Sequence, residues 1–328
     1  MANRILVKLQ PTMALAAADT RSNLRPLYKA APTSILGLAG APTWYLADLP
    51  DTVGPNPWDL AHARVADQLG IDESAVLFAE PDLEQSFMDG SDPATAGIPL
   101  AEASDPCAFS LQQDNTHNKV NGPDVFAWHL RDEYTQLGSA RSAVQFTDPR
   151  TRIAHLDTGY YPKHRARPEH IPLEHSFVEG DPDPNKAQAR ASINLLPENL
   201  DHGTGTIGIL AGGKVTETDD YLGGAPHAEI VPLRIAESVV LFNVSAFAQA
   251  LQFAIDNRCD VVSISMGGLP SKAWSEAVNR AYEAGVCICA ASGNNVIGIP
   301  SRHVVYPARY HRTIAVCGPP ADRRGADG

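Results

Sequence analysis

The sequence predicts an α/β protein: a parallel sheet with helices on both faces over residues 124–328, preceded by a small α+β unit at residues 1–90. Three observations carry this. Beyond Ile153, apolar strand-like runs alternate with runs at helical spacing, and repeated β-α-β units imply a parallel sheet covered on both sides. The first ninety or so residues hold short apolar runs and a helical pattern of their own. Residues 91–123 are rich in Asp, Ser, Gly, Pro and Asn with little periodicity, the composition of a linker.

In the first unit, Ile5–Leu9, Thr43–Ala47 and Ala75–Ala79 read as strands. Asn56-Pro57-Trp58-Asp59 reads as a helix start, with Asn as N-cap and Pro in the first helical position. Trp58, Ala61, Val65 and Leu69 follow at helical spacing until Gly70 ends the run. In the second unit Phe126, Trp128 and Leu130 supply apolar anchors ahead of a strand that ends at Asp157. Ile230–Ile235 is the next strand, and Asn243 is expected to cap a helix with Val244, Phe247, Leu251 and Ile255 on one face. Val261–Ser265 is expected to be buried on both faces. Ser271 opens a helix bearing Trp274, Val278 and Tyr282, which Gly285 closes. Val286–Ala290 and Thr313–Cys317 complete the series.

A composition 44% hydrophobic and 20% charged is that of a globular protein. The net charge of -12 excludes a general nucleic-acid binder, which needs a basic face to neutralise phosphates. Between Asp48 and Asp114 the acidic residues meet a single cation, Arg64, a solvated acidic face or a surface for a basic partner. No run suits a membrane span, and Lys8, Gln10 and Pro11 interrupt the apolar N-terminus, so a cytoplasmic chain is expected. The five cysteines are odd in number, and Cys287 and Cys289 are expected to point opposite ways, so neither a disulfide framework nor a zinc site is expected.

Three side chains could do chemistry. Asp157, in Asp157-Thr158-Gly159 at a strand end, could be held ionised against an imidazole, or simply bond its own turn. His202, between Asp201 and Gly203, opens an apolar helix with small neighbours, suited to proton transfer or to a plain surface role. Asn294 follows Ala291, Ser292 and Gly293 after a buried strand, where its amide could donate to an oxyanion or merely form a turn. Ser265, Met266, Gly267 and Gly268 could present backbone groups to an extended peptide. At the carboxyl ends of parallel strands such residues gather in one place.

Taken in order, these motifs resemble the subtilisin-like serine proteases over roughly Asp124 to Gly318. Ile153 to Gly159 is similar to their Asp motif and His202-Gly203-Thr204 to their His motif; Gly224-Ala225-Pro226 and Tyr306-Pro307-Ala308 fit in sequence. The resemblance implies a serine endopeptidase with Asp157 orienting His202, Asn294 donating to the oxyanion, and a peptide or protein substrate along Ser265–Gly268 and Ala291–Gly293. It also implies that the first unit is a propeptide-like, ferredoxin-like domain that inhibits the cleft intramolecularly, with Val76–Asp82 as its last strand and exit. Two departures stand out. The family motif Gly-Thr-Ser-x-Ala-x-Pro is absent from the 328 residues, which implies a C-terminally incomplete peptidase domain whose Ser lies beyond Gly328. Thr206-Ile207 also replaces the family's usual second His and Val. The alternative is a non-catalytic peptide- or protein-binding module of the same fold. The sequence assigns no cofactor with certainty and leaves calcium open: acidic loops such as Asp181-Pro182-Asp183 are candidates for it, though their spacing matches no recognisable ligand pattern.

Overall fold

A computed structural model describes residues 3–10, 23–28, 43–49, 61, 65–86, 128–132, 134–144, 150–189, 202–215, 220–238, 241–293 and 304–317. The expected linker, the start of the first helix, Phe126, Cys107 and Asn294 lie outside them. In the first unit β1 (Asn3–Leu9), β2 (Leu24–Pro26), β3 (Thr43–Leu49) and β4 (Val76–Pro81) form an antiparallel sheet in the order β2-β3-β1-β4. The short helix α1 (Val65–Leu69) stops at Gly70, whose φ of 59° is the left-handed conformation glycine adopts most cheaply. Strand alternation divides the side chains. Ile5, Val7, Leu9, Tyr45, Ala47 and Leu49 pack with Val65 and Leu69, whereas Leu6, Trp44 and Leu46 face helices of the second unit.

The second unit is built on β6 (Arg152–Asp157), β7 (His175–Ser176), β10 (Glu229–Arg234), β13 (Val261–Ile264), β14 (Cys287–Ala291) and β15 (Ile314–Val316). All pair parallel, in the order β15-β14-β13-β6-β10-β7. Ala154, Leu156, Val231, Leu233, Val262, Ile264, Ile288 and Ala290 point to the face covered by α4 (Val244–Asp256) and α5 (Lys272–Glu283). Ile153 and Ile230 point the other way, against Ile207 and Ala211 of α3 (His202–Ala211). Helices therefore cover both faces of the sheet, as its β-α-β pattern requires.

Several local expectations need correction. β13 is not buried on both faces: Val262 and Ile264 are, but Val261 and Ser263 are half-exposed. Tyr282 is 55% exposed, and the Arg312 guanidinium stacks over its ring. Cys287 and Cys289 share a face, because residues two apart on a strand point the same way, and their thiols interact. Asn243 occupies the N-cap position of α4 without a side-chain bond to the helix. The cap comes instead from the first unit: Asp82 accepts from Ser245 N at 3.0 Å and Ser245 Oγ at 2.7 Å. Glu80 does the same for α5, accepting from Ser271 Oγ (2.9 Å), Lys272 N (3.0 Å) and Ala273 N (2.8 Å). Both carboxylates lie where unpaired N–H groups and the helix dipole favour negative charge. Just beyond them β5 (Glu84–Ser86) pairs with β12 (Leu241–Asn243), so strand, caps and Trp44 together join the two units. The remaining elements are the short helix α2 (Leu137–Ala143), the β8 (Lys214–Val215) and β9 (Asp220–Tyr221) pair, and β11 (Ala236–Ser238), which pairs with β12.

Candidate active site

The end of β6 and the start of α3 meet because glycines let them. Gly203 lies so close to the preceding turn that a Cβ there would fall 2.0 Å from Gly159 O and 3.1 Å from Asp157 Oδ1. Gly159 turns with φ +95°, and a Cβ on it would sit 2.7 Å from Ala187 O. Two threonines then lock the motifs together: Gly203 N donates to Thr158 Oγ1 at 3.2 Å, and Tyr161 N to Thr204 Oγ1 at 3.0 Å.

This approach places the His202 ring against Asp157, with Nδ1 at 2.7 Å from Oδ1, the length of a charge-assisted bond. Thr158 N donates to the same oxygen at 2.7 Å, and Thr206 Oγ1 lies 3.0 Å from Oδ2. The Asp157 side chain is wholly buried, while that of His202 is 27% exposed. Burial alone would raise the Asp157 carboxyl. The His202 hydrogen bond, the facing imidazoles of His155 and His202, and the Thr158 N–H outweigh it and hold the group below the ordinary carboxylate range. An ionised acid behind a half-open imidazole fixes the Nδ1–H tautomer and leaves Nε2 as the basic nitrogen.

Register sets the rest of the site. Leu156 is level with Ile264, and Ile264 with Ala290, so Asp157, Ser265 and Ala291 fall side by side at the carboxyl ends of β6, β13 and β14. Of the predicted peptide-contact residues, Gly268 is already committed: its N–H donates to Tyr306 O at 2.7 Å and its carbonyl accepts from Tyr306 N at 3.2 Å. Ser292 N donates to Val316 O, and Ser292 O accepts from Val305 N. Val305 packs where side chains on Gly267 and Gly293 would stand, at 2.5 Å and 2.9 Å from their built Cβ positions. Met266 is buried.

Three polar residues around the pair were missed in the sequence. Arg234, 2% exposed, donates from Nη1 to Thr158 O at 2.9 Å and lies 3.1 Å through Nε from Asp181 Oδ2. His155 is equally buried and meets Thr206. An ionisable residue inside an otherwise apolar strand was the available signal for Arg234 and His155; Thr206 gave none beyond its departure from the expected motif. In the acidic loop, Asp181 faces Arg234, and Asp183 Oδ1 accepts from Asn185 N at 2.9 Å. Among the described residues no group of three or more His, Cys, Asp or Glu is arranged to hold a metal ion, and no helix is long and apolar enough to cross a membrane.

The sequence profile described as the subtilase family matches residues 149–320. The chain is 28% identical to Alkaline elastase YaB of Bacillus sp. (strain YaB) over 213 residues, 65% of this chain and 49% of that protein. It is 32% identical to Subtilisin Savinase of Lederbergia lenta over 167 residues, 50% of this chain and 54% of that protein. Against Subtilisin DY of Bacillus licheniformis it is 33% identical over 116 residues, covering 35% and 42% respectively. The chain thus spans about half the length of the curated relatives it matches.

Proposed function

Because the chain belongs to the subtilase family, we propose that it supplies the acid and base of a serine endopeptidase that cleaves peptide bonds through an Asp-His-Ser triad. The observation that carries this reading is the 2.7 Å contact between buried Asp157 and half-open His202 at the carboxyl ends of the sheet. Asp157 holds the imidazole so that Nε2 takes the nucleophile's proton, and its charge stabilises the imidazolium that follows. The same proton then passes to the leaving amine.

The nucleophile is a serine carried by polypeptide outside these 328 residues, since the family's Ser motif does not occur among them. Ser271 is no substitute, because its hydroxyl caps α5 and bonds Glu80. Asn294 donates to the tetrahedral oxyanion. An extended peptide lies along Ser265–Gly267, with Gly268 tying that stretch to Tyr306 and Ala291–Gly293 as the facing wall. The first unit acts as an intramolecular inhibitor and folding aid; its support is the capping of α4 and α5 by Asp82 and Glu80. In a form of the protein that includes the serine, His202→Ala lowers peptide hydrolysis by about 10⁶-fold. Retained turnover removes the assignment.

The missing Ser motif favours one other reading, a peptide-binding module that does not cut. It predicts that a fluorophosphonate labels no serine of the native protein while unlabelled peptide still binds. Covalent labelling at a single serine eliminates it.

A further inference from the structure

A second histidine reaches the Asp157 carboxylate from behind. His155, two residues earlier on β6, is 2% exposed, and its Nε2 lies 2.9 Å from Thr206 Oγ1. Thr206 Oγ1 in turn lies 3.0 Å from Asp157 Oδ2, the oxygen that His202 does not use. The direct His155 Nε2–Oδ2 separation, 3.8 Å, is too long for a hydrogen bond, so the hydroxyl must bridge.

Directions follow from counting protons. The Thr206 hydroxyl has one proton and three oxygens in reach: Asp157 Oδ2 at 3.0 Å, His202 O at 3.0 Å and Gly203 O at 3.3 Å. The carboxylate is the strongest acceptor of the three, because it carries the charge. With the proton on that side, the hydroxyl lone pairs face His155, which must then present Nε2–H. Burial is the chief reason the His155 imidazole is pushed below its ordinary value; the Asp157 charge pulls the other way and His202 adds to the lowering. A neutral ring in one tautomer is a fixed donor.

We infer that His155 and Thr206 form a two-step donor relay, Nε2–H to Oγ1 and Oγ1–H to Oδ2, that positions Asp157 and tempers its hold on His202. The inference rests on the reading of Asp157 and His202 as the working pair. His155 and Thr206 are both positioning residues, since they act through the carboxylate. An apolar pair could fill the same space without a buried imidazole and a half-buried hydroxyl to satisfy, and Thr206 stands where the family motif departs. The groups facing the carboxylate are His155 on its own strand and His202 on α3; Arg234, level with Asp157 on β10, turns its guanidinium to Thr158 O and Asp181 instead. Ser263 on β13, level with His155, does not titrate.

The test is ¹⁵N NMR of the histidine-labelled chain, assigned with His155→Leu and His202→Ala. His155 keeps the neutral Nε2–H tautomer throughout the range in which the His202 signals change with pH. Removing the hydroxyl with Thr206→Val strips a donor from the free anion more than from the ion pair, so the His202 midpoint rises by about half a unit to one unit. Thr206→Ser restores it, and His155→Leu gives a smaller rise in the same direction, which serves if Thr206→Val does not fold. A titrating His155, an Nδ1–H tautomer, or a His202 midpoint unmoved in both His155→Leu and Thr206→Val overturns the relay. Asp157→Asn keeps the two ideas apart: if it leaves the His202 midpoint unmoved, the pair itself is wrong.

Discussion

Among the described residues, two aspartates with side chains sealed from solvent are shifted in opposite directions. The Asp157 and Asp82 side chains are both fully buried. Burial pushes each carboxyl up, and at Asp82 it prevails over the Ser245 hydroxyl and N–H and the Arg4 guanidinium 3.3 Å away, with Glu179 adding to the rise. At Asp157 the balance reverses, because two imidazoles and a backbone N–H surround the charge. Residue type and burial are therefore equal, and the donors decide. Asp157 is kept ionised beside the His202 imidazole, whereas Asp82 is an anchor between two units that becomes easier to protonate.

The comparison breaks most sharply at the site. Asp157→Asn preserves shape but no longer fixes the tautomer, so hydrolysis in a serine-containing form falls by about 10⁴-fold; a loss below tenfold would make Asp157 a structural residue like Asp82. Next is Gly203→Ala. Its Cβ would meet Gly159 O at 2.0 Å, backbone against backbone, and a destabilisation of about 3 kcal/mol is expected in urea titrations. Unchanged stability would mean that the approach of β6 and α3 is looser than the geometry requires.

At the anchor the effects are smaller. Glu80→Ala, which removes three bonds to the start of α5, should cost about 1–2 kcal/mol of local stability. Hydrogen exchange at Lys272 N and Ala273 N reads it as an acceleration of about tenfold; unaltered protection would transfer the capping role to Ser271 alone.

Acid sensitivity is the gentlest test, and the groups contribute with different signs. His155 is lowered from its ordinary 6.5, so the unfolded chain takes up a proton first and stability falls as pH drops below about 6.5. Asp157, also lowered, adds a loss on further acidification, as pH falls through the ordinary carboxylate range towards its folded value. Asp82, raised, opposes them: in the native state it binds its proton earlier, so its contribution grows as pH falls through the raised value. Melting temperatures from pH 8 to 4 should therefore decline less in His155→Leu than in the parent, and more in Asp82→Asn. Parallel curves for all three would show that neither residue feels its burial.

Much of the fold was legible because it rests on local pattern. The alternation of strands and helices gave the parallel sheet, and the small residues of Asp157-Thr158-Gly159 and His202-Gly203-Thr204 marked a place where two backbones approach. Ser271 was readable as a helix cap, and it accepts from Trp274 N at 3.2 Å. The mistakes have separate causes. Periodicity put Tyr282 with Trp274, though it lies at the rim of that face, where Arg312 and solvent meet it. Asn243 had the chemistry of a cap, but Asp82, 163 positions from Ser245, took its place. At Cys287 and Cys289 the alternation rule was misapplied.

By itself, then, the sequence determined the order of elements, the glycine-permitted turns and the aspartate and histidine that stand at them, since these depend on backbone sterics within a few residues. The tertiary structure decided what surrounds each charge. It brought Thr206 to within hydrogen-bond reach of His155, 51 positions away, set Arg234 behind Thr158, and gave Asp82 and Glu80 their helix ends. A charge in a low-dielectric interior is governed by the few donors it touches, and those come from wherever the chain folds back.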